Sequence, residues 1–215
     1  MNRPVIIIGA GGHAAVVADA LMACGIEIVG FTDIDPRRHG GRHVGLPVLG
    51  ADERVLSGYR QNDIMLANGI GGIGATEPRQ KVQMNLRQAG WRFMTVQHPS
   101  AIVSPRADIG SGVQILAGSI VQIGASIGEG SIVNTGAVIE HDCEIGSFVH
   151  TAPRALLCGE VKVGSGSHVG AGSVVKQGLR LGPHTLVAAG AVVVKDFGGH
   201  GVLVGTPARL VEPGA

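Results

Sequence analysis

The run Asn134-Thr135-Gly136-Ala137-Val138-Ile139-Glu140-His141-Asp142-Cys143, followed by His150, is the densest polar group of this 215-residue chain. Histidine is the side chain whose ordinary pKa suits proton transfer near neutral pH. Asp142, beside His141, is placed to set the imidazole tautomer and to stabilise the imidazolium that forms when a proton is taken up. Asn134 adds a neutral amide that can hold a polar group. A solitary surface histidine is more often an interface residue that merely hydrogen-bonds, and that reading stands beside the catalytic one. The acidic neighbour and Asn134 favour His141 as a general base.

A second chemical feature lies near the N-terminus. Gly9-Ala10-Gly11-Gly12-His13-Ala14 follows the apolar run Val5-Ile6-Ile7-Ile8 and opens a helical pattern. Glycines there let the backbone approach a phosphate, and the helix N-terminus favours its negative charge. The spacing fits a dinucleotide fingerprint, and Asp33 follows at a distance suited to a ribose. Residues 4–96, however, supply only half of a full dinucleotide fold, so a mononucleotide or nucleotide-sugar fits better. A tight strand-helix turn without a ligand is the third reading. His13 weighs against it, because an imidazole there can donate to a phosphate.

Other residues invite chemistry less strongly. His150 and His168 are eighteen apart and would stack. Zinc would need a third and fourth ligand, and Ile132 and Leu186 take the equivalent places, so no metal is expected. Cys24, Cys143 and Cys158 have no metal-ligand spacing and read as reduced thiols of a cytoplasmic protein. Cys143 falls at a small-residue position that implies burial, and neither it nor Cys158 has an activating cation.

A repeat positions the polar run. From Val103 to Val193, every sixth residue is aliphatic except Thr151, with no slip in register. Four residues after each, as far as Val187, comes mostly Ala, Ser or Thr, with Val113, Val149 and Val161, and with Cys143 and Leu179 as exceptions. Neither a helix nor a single strand has a period of six. Three short strands per eighteen-residue coil do, around a triangular interior. Gly110, Gly128, Gly146, Gly164 and Gly182 recur every eighteen residues, as expected where a turn needs φ > 0 or close backbone approach. Sixteen hexads make about five coils, on the order of 25 Å of prism. A Gly/Val-rich sandwich would have no reason for such register. His141, two residues past the inward Ile139, projects outward.

The first half alternates strand and helix. Strands are expected at Val5–Gly9, Glu27–Thr32, Ile64–Asn68 and Trp91–Val96. Helices are expected at His13–Cys24, with Val16, Val17, Ala20 and Leu21 facing a core, at Asp52–Arg60 and at Pro78–Ala89. Such alternation implies a parallel sheet with helices packed on it. The domains expected are 1–97, an α/β Rossmann-like nucleotide-sugar-binding half domain; 98–196, an all-β prism; and 197–215, a C-terminal cap. His98-Pro99 marks the joint.

Composition agrees. Seventeen Lys and Arg against sixteen Asp and Glu give +1, which speaks against nucleic acid or an anionic membrane held by bulk charge. Aromatics are 3% while Gly numbers 36, suiting a narrow coil filled by small aliphatics. The run Val5–Ile8 is too short for a signal core or a membrane span.

GAGGHAAVVADAL, HPSAIVSP, NTGAVIEHDCEIGSFVH and the terminal GTPARL together resemble the sugar-modifying hexapeptide-repeat acetyltransferases. These include sialic acid O-acetyltransferases and N-acetyltransferases of nucleotide-linked 4-amino-6-deoxy sugars such as bacillosamine and perosamine precursors. The resemblance covers the whole chain, and the pairing of GxGGH with H-(D/E)-C is its specific part. It implies a left-handed parallel β-helix, a homotrimer, and acetyl-CoA lying between adjacent prisms. By the same resemblance, Gly11, Gly12, His13, Asp33, Ile34 and Gly69 hold the nucleotide part of the substrate. His141 is the general base, Asp142 its acidic neighbour, and Asn134 lies near the acceptor sugar. His150, Gly159, Ala171 and Ala189 line the acetyl-CoA slot. Two departures bear on the nucleotide: Ile34 stands where relatives often carry a polar residue, and Asn68-Gly69-Ile70-Gly71-Gly72 replaces the usual Ile-Gly-Asp-Asn form.

The activity expected is acetyl transfer from acetyl-CoA to the amino group of a nucleotide-linked 4-amino-4,6-dideoxy sugar, directly within a ternary complex. O-acetylation of sialic acid or a related sugar is the alternative, and would leave a nucleotide pocket unused. A non-catalytic partner of a sugar-biosynthetic enzyme is a third reading, against which the intact His141-Asp142 pair argues.

Overall fold

The computed structural model describes residues 3–72 and 76–211. The chain divides into two compact units, residues 1–71 with 78–99, and residues 72–77 with 100–215. Residues 212–215 of the C-terminal segment lie outside the described residues.

The first unit is built on β1 (Val5–Ile8), whose four aliphatic residues are all buried. Strand β1 pairs in parallel with β2 (Ile28–Thr32) and with β5 (Met65–Asn68). A central parallel strand packed over on both faces reads as an unbroken apolar run, which explains Val-Ile-Ile-Ile. Between β1 and β2 runs α1 (Gly12–Ala23), which buries Ala14, Val17, Ala18, Ala20 and Leu21. Val16, expected in the core, is instead 42% exposed. Ala14 and Ala18, one turn apart, take the inner face because close helix-sheet packing favours the smaller side chains.

A hairpin follows β2 that the sequence did not announce. It comprises β3 (Arg42–His43) and β4 (Leu46–Gly50), antiparallel to each other, with β4 parallel to β2. The sheet order is β3-β4-β2-β1-β5. Helix α2 spans only Asp52–Leu56, shorter than expected, since Gly58 follows closely. Helix α3 spans Glu77–Gln88. The expected fourth strand at Trp91–Val96 reduces to one bridge, Leu66 to Phe93, and a two-residue strand at Val96–Gln97. Trp91 and Phe93 nevertheless pack with Ile6, Ile8 and Leu66.

The second unit is a three-faced parallel prism. One face stacks Ile102–Val103, Ile120–Val121, Val138–Ile139, Leu156–Leu157, Val174–Val175 and Val192–Val193. A second stacks Asp108–Ile109, Ser126–Ile127, Glu144–Ile145, Lys162–Val163 and Arg180–Leu181. A third runs from Gln114–Ile115 through Ile132–Val133, His150–Thr151, His168–Val169 and Thr185–Val187 to Gly201–Val204. Arg209–Val211 closes that face antiparallel.

The second residue of each pair points inward, as does the small residue four further on. Ile139 and Cys143, for example, are both 0% exposed. Each fully buried Val, Leu or Ile stabilises by about 1.5–3 kcal/mol. The face-leading residues differ by face: aliphatic on the first, polar or charged on the second, mixed with histidine on the third.

The eighteen-residue glycine column works by close approach rather than by left-handed backbone. A Cβ on Gly128 would lie 2.5 Å from the Gly146 carbonyl carbon, and one on Gly164 2.4 Å from Pro183 N. Left-handed φ falls elsewhere, every six residues from Gly112 to Gly190. Asp142, Phe148, Arg154, Glu160 and His184 hold it without glycine's freedom, with φ between 52° and 63°.

Candidate active site and nucleotide-binding turn

In the prism, Ile139 is held inside and the chain then turns outward at Glu140–Asp142. This fixes His141 on the corner between the aliphatic and charged faces. The imidazole Nδ1–H donates to Asp142 Oδ2 at 2.8 Å. Both side chains are exposed, 46% for His141 and 64% for Asp142. The hydrogen bond to Asp142, with Glu140 and Glu160 nearby, holds the His141 pKa above its ordinary value, against a smaller opposing effect of burial. With Nδ1 committed, neutral His141 offers the Nε2 lone pair, the arrangement a general base requires. Gly159, one coil on, lies directly against the imidazole.

Asn134 and His150 meet on another side. Asn134 Nδ2 donates to His150 Nε2 at 3.0 Å, and His150 Nδ1–H donates to the Gly72 carbonyl at 2.7 Å. These partners make His150 neutral with its proton on Nδ1. Its ring packs edge-on against His168, centroids 4.8 Å apart. Burial pushes the His168 pKa down, partly offset by a hydrogen bond to the Gly72 backbone. Among the described residues, no three His, Cys, Asp or Glu side chains form a group that could hold a metal ion. Cys143 is buried, and that burial raises its thiol to about 11.

The residues that resemblance assigns to acetyl-CoA fall apart within one prism. Gly159 shares the His141 corner, His150 sits on the third face, and Ala171 and Ala189 sit one coil apart on the corner beyond that face.

In the first unit, Gly9 has φ +92° and the chain then enters α1. Gly11 caps that helix without a side-chain bond, and its first turn carries no acidic residue. The Cα hydrogens of Gly11 and Gly12 face open space. Backbone amides and the positive helix end are thus presented to an anion, beside His13. Gly69 plays a packing part: a Cβ there would lie 2.7 Å from both Ala14 Cβ and Ile7 Cγ2.

Asp33 braces the turn. Its Oδ2 accepts from Ala10 N at 2.9 Å and its Oδ1 from Asp35 N at 2.9 Å. Ile34 is 93% exposed at the loop tip. Three cationic or ionisable side chains that the sequence reading missed surround the same turn. Arg38 Nη1 donates to the Ala10 carbonyl, His43 Nε2–H donates to the Gly11 carbonyl at 3.1 Å, and His39 Nε2–H donates to the Asp33 carbonyl at 2.7 Å. Their signal was the Arg37-Arg38-His39 and Arg42-His43 cluster, which the unforeseen hairpin folds back onto the glycines.

Residues 4–86 match the family model described as PglD N-terminal domain. Over the whole length, the chain is similar to perosamine N-acetyltransferase from Caulobacter crescentus, solved in complex with CoA and GDP-perosamine. Identity is 37%, 99% of each chain is covered, and the TM-score is 0.90. It is similar also to the acetyltransferase domain of PglB from Neisseria gonorrhoeae FA1090, solved with acetyl coenzyme A. There identity is 33%, coverage 98% of this chain and 100% of that one, and the TM-score 0.89 and 0.88 in two structures. WeeI from Acinetobacter baumannii AYE shares the fold at 23% identity and a TM-score of 0.80, covering 98% of this chain and 100% of that one. Comparison with curated protein sequences finds no match. The prism is accordingly a left-handed parallel β-helix. Full-length likeness at this identity, joined to the His141–Asp142 corner and the glycine turn, makes the chain a member of the sugar-modifying hexapeptide-repeat acetyltransferases.

Proposed function

We propose that this protein transfers an acetyl group from acetyl-CoA to the amino group of a nucleotide-linked 4-amino-4,6-dideoxy sugar. The observation that carries the reading is the His141–Asp142 pair, whose Nδ1 is bonded and whose Nε2 has no hydrogen-bond partner among the described residues, on a chain 37% identical over its length to an enzyme solved with CoA and GDP-perosamine.

Residues 1–97 form the nucleotide-sugar domain, 98–196 the transferase prism and 197–215 its cap. Gly11, Gly12 and His13 hold the nucleotide phosphates, Asp33 and Ile34 the nucleoside end, and Gly69 keeps the turn in place. His141 Nε2 takes a proton from the sugar amine as its nitrogen attacks the thioester carbonyl. The tetrahedral oxyanion is met by a backbone N–H. Its collapse forms the amide and releases the CoA thiolate, which is reprotonated from the imidazolium. Asn134 lies near the acceptor sugar.

The working form is a cytoplasmic homotrimer. The first prism face leads with Ile102, Ile120, Val138, Leu156, Val174 and Val192, an aliphatic column that a second copy would cover. Gly159 lies on one corner of the prism, His150 on a face, and Ala171 with Ala189 on another corner, so a slot containing all four needs two neighbouring prisms. Among the described residues no helix is long and apolar enough to cross a membrane.

Two measurements test the reading. His141→Ala should lower kcat on the order of 10²–10⁴-fold with GDP-linked, UDP-linked or dTDP-linked amino sugars. Calorimetry with GDP, UDP and dTDP should detect binding of one of them. Full turnover in His141→Ala removes the base assignment. Failure of all three nucleotides to bind, with acetylation of free sialic acid, replaces the reading by O-acetyl transfer.

A further inference from the structure

The carboxylate of Asp142 lies over the bare α-carbon of Gly124, one coil earlier. A Cβ on Gly124 would stand 2.3 Å from Asp142 Oδ1. On the opposite side, a Cβ on Gly159 would stand 2.4 Å from His141 Nε2. Non-bonded heavy atoms do not approach so closely, so a side chain at position 124 must move the carboxylate.

The backbone cannot give way instead. Asp142 N–H donates to the Ile123 carbonyl at 3.1 Å, and Glu160 N–H donates to the His141 carbonyl at 2.9 Å. Cys143, next in the chain, is 0% exposed in the core. The Asp142 side chain, by contrast, is 64% exposed and free to swing into solvent. Left-handed backbone does not itself demand glycine at this place in the coil. Gly124 has φ +74°, while Asp142 and Glu160 hold φ +58° and +63° with side chains.

We propose that Gly124 is a positioning residue for acetyl transfer: its missing side chain is the seat that keeps the Asp142 carboxylate against His141 Nδ1. The proposal rests on the reading of His141 as the general base. Gly124 touches neither reacting group, and acts only through Asp142.

The test compares Gly124→Ala with Gly118→Ala. Gly118 has φ +66° and an open site where a Cβ meets nothing within 4 Å. Both substitutions strain the backbone alike, but only the first collides with the carboxylate. Gly124→Ala should lower kcat about tenfold or more, with both KM values within about twofold. His141 is faced by Asp142, Glu140 and Glu160. Loss of the Asp142 bond should therefore move its titration, followed by NMR without substrates, to lower pH. Gly118→Ala should change neither reading. In an Asp142→Ala background, Gly124→Ala should have no further effect, because nothing remains to displace.

An unmoved His141 titration in Gly124→Ala overturns the proposal. So does an equal loss of kcat in the Asp142→Ala background. Failure of the base assignment shows separately, as turnover retained in His141→Ala while the NMR titration still responds to Gly124.

Discussion

His141 Nδ1 and Asp142 Oδ2 are 2.8 Å apart, on adjacent residues of one exposed corner. Adjacent residues can meet in this way because Asp142 has left-handed backbone, φ +58°, which turns its carboxylate back towards the imidazole. The bond keeps the proton on Nδ1 and raises the His141 pKa. Asp142→Ala should lower kcat on the order of 10–100-fold at neutral pH. The sign of the pH effect follows from the shift. A general base works deprotonated, so a raised pKa puts the acid limb of the wild-type kcat profile at higher pH. In Asp142→Ala that limb should move down, towards the ordinary histidine value of about 6.5. A pH–rate series on both proteins checks this.

His150 satisfies two groups at once, the Asn134 amide and the Gly72 carbonyl. It is 7% exposed, so its removal leaves them poorly hydrated. His150→Ala should destabilise the protein by about 1–3 kcal/mol, read as a lower urea midpoint with an unchanged slope. It should also raise KM for acetyl-CoA more than that for the sugar.

Cys143 lies two residues from His141 yet should take no part in transfer. Its thiol, pushed up to about 11 by burial, stays protonated at neutral pH and donates to the Cys158 carbonyl at 3.2 Å. Cys143→Ala should keep kcat within about twofold and lose about 1 kcal/mol of stability. Loss of turnover with retained folding would point to a covalent acyl-enzyme instead.

The aliphatic column Ile102 to Val192 should govern assembly. Replacing Val138 and Leu156 together by Asp places two charges mid-column, where a neighbouring prism would bury them. Gel filtration should show a smaller species, and activity should fall with it. A monomer that turns over normally would show that the site is complete in one prism.

The prism was legible because its core repeats without a slip in register. Val103 to Val193 at period six, with Ser, Ala or Val four residues on, places both inward positions from sequence alone. The outward direction of His141 and the stacking of His150 on His168 followed by counting. The same arithmetic, continued, separates Gly159 from Ala171 and Ala189, since only the latter two differ by eighteen. The first unit was harder. Strand β1 announced itself by four aliphatics, but the edge strand β3 has only two residues and β4 carries Pro47, so the hairpin gives no alternation. Nothing in their spacing therefore marked Arg38, His39 and His43 as neighbours of the glycine turn. Trp91 and Phe93 looked like a strand because their burial is real, although their backbone makes only one bridge.

The three faces of the prism share one core pattern but differ in what they show outside. An insertion or deletion of six residues after Ile139 would thus keep every aliphatic inside, yet move each later face round by a third of a turn. Aliphatic outward neighbours such as Leu156 would be exchanged for charged ones such as Lys162, and the molecule would stay folded while losing its contact surface. Only a change of eighteen residues restores both. Length variation in such a chain is quantised by surface identity rather than by stability, and the coil is the smallest piece that can be gained or lost without changing what the protein meets.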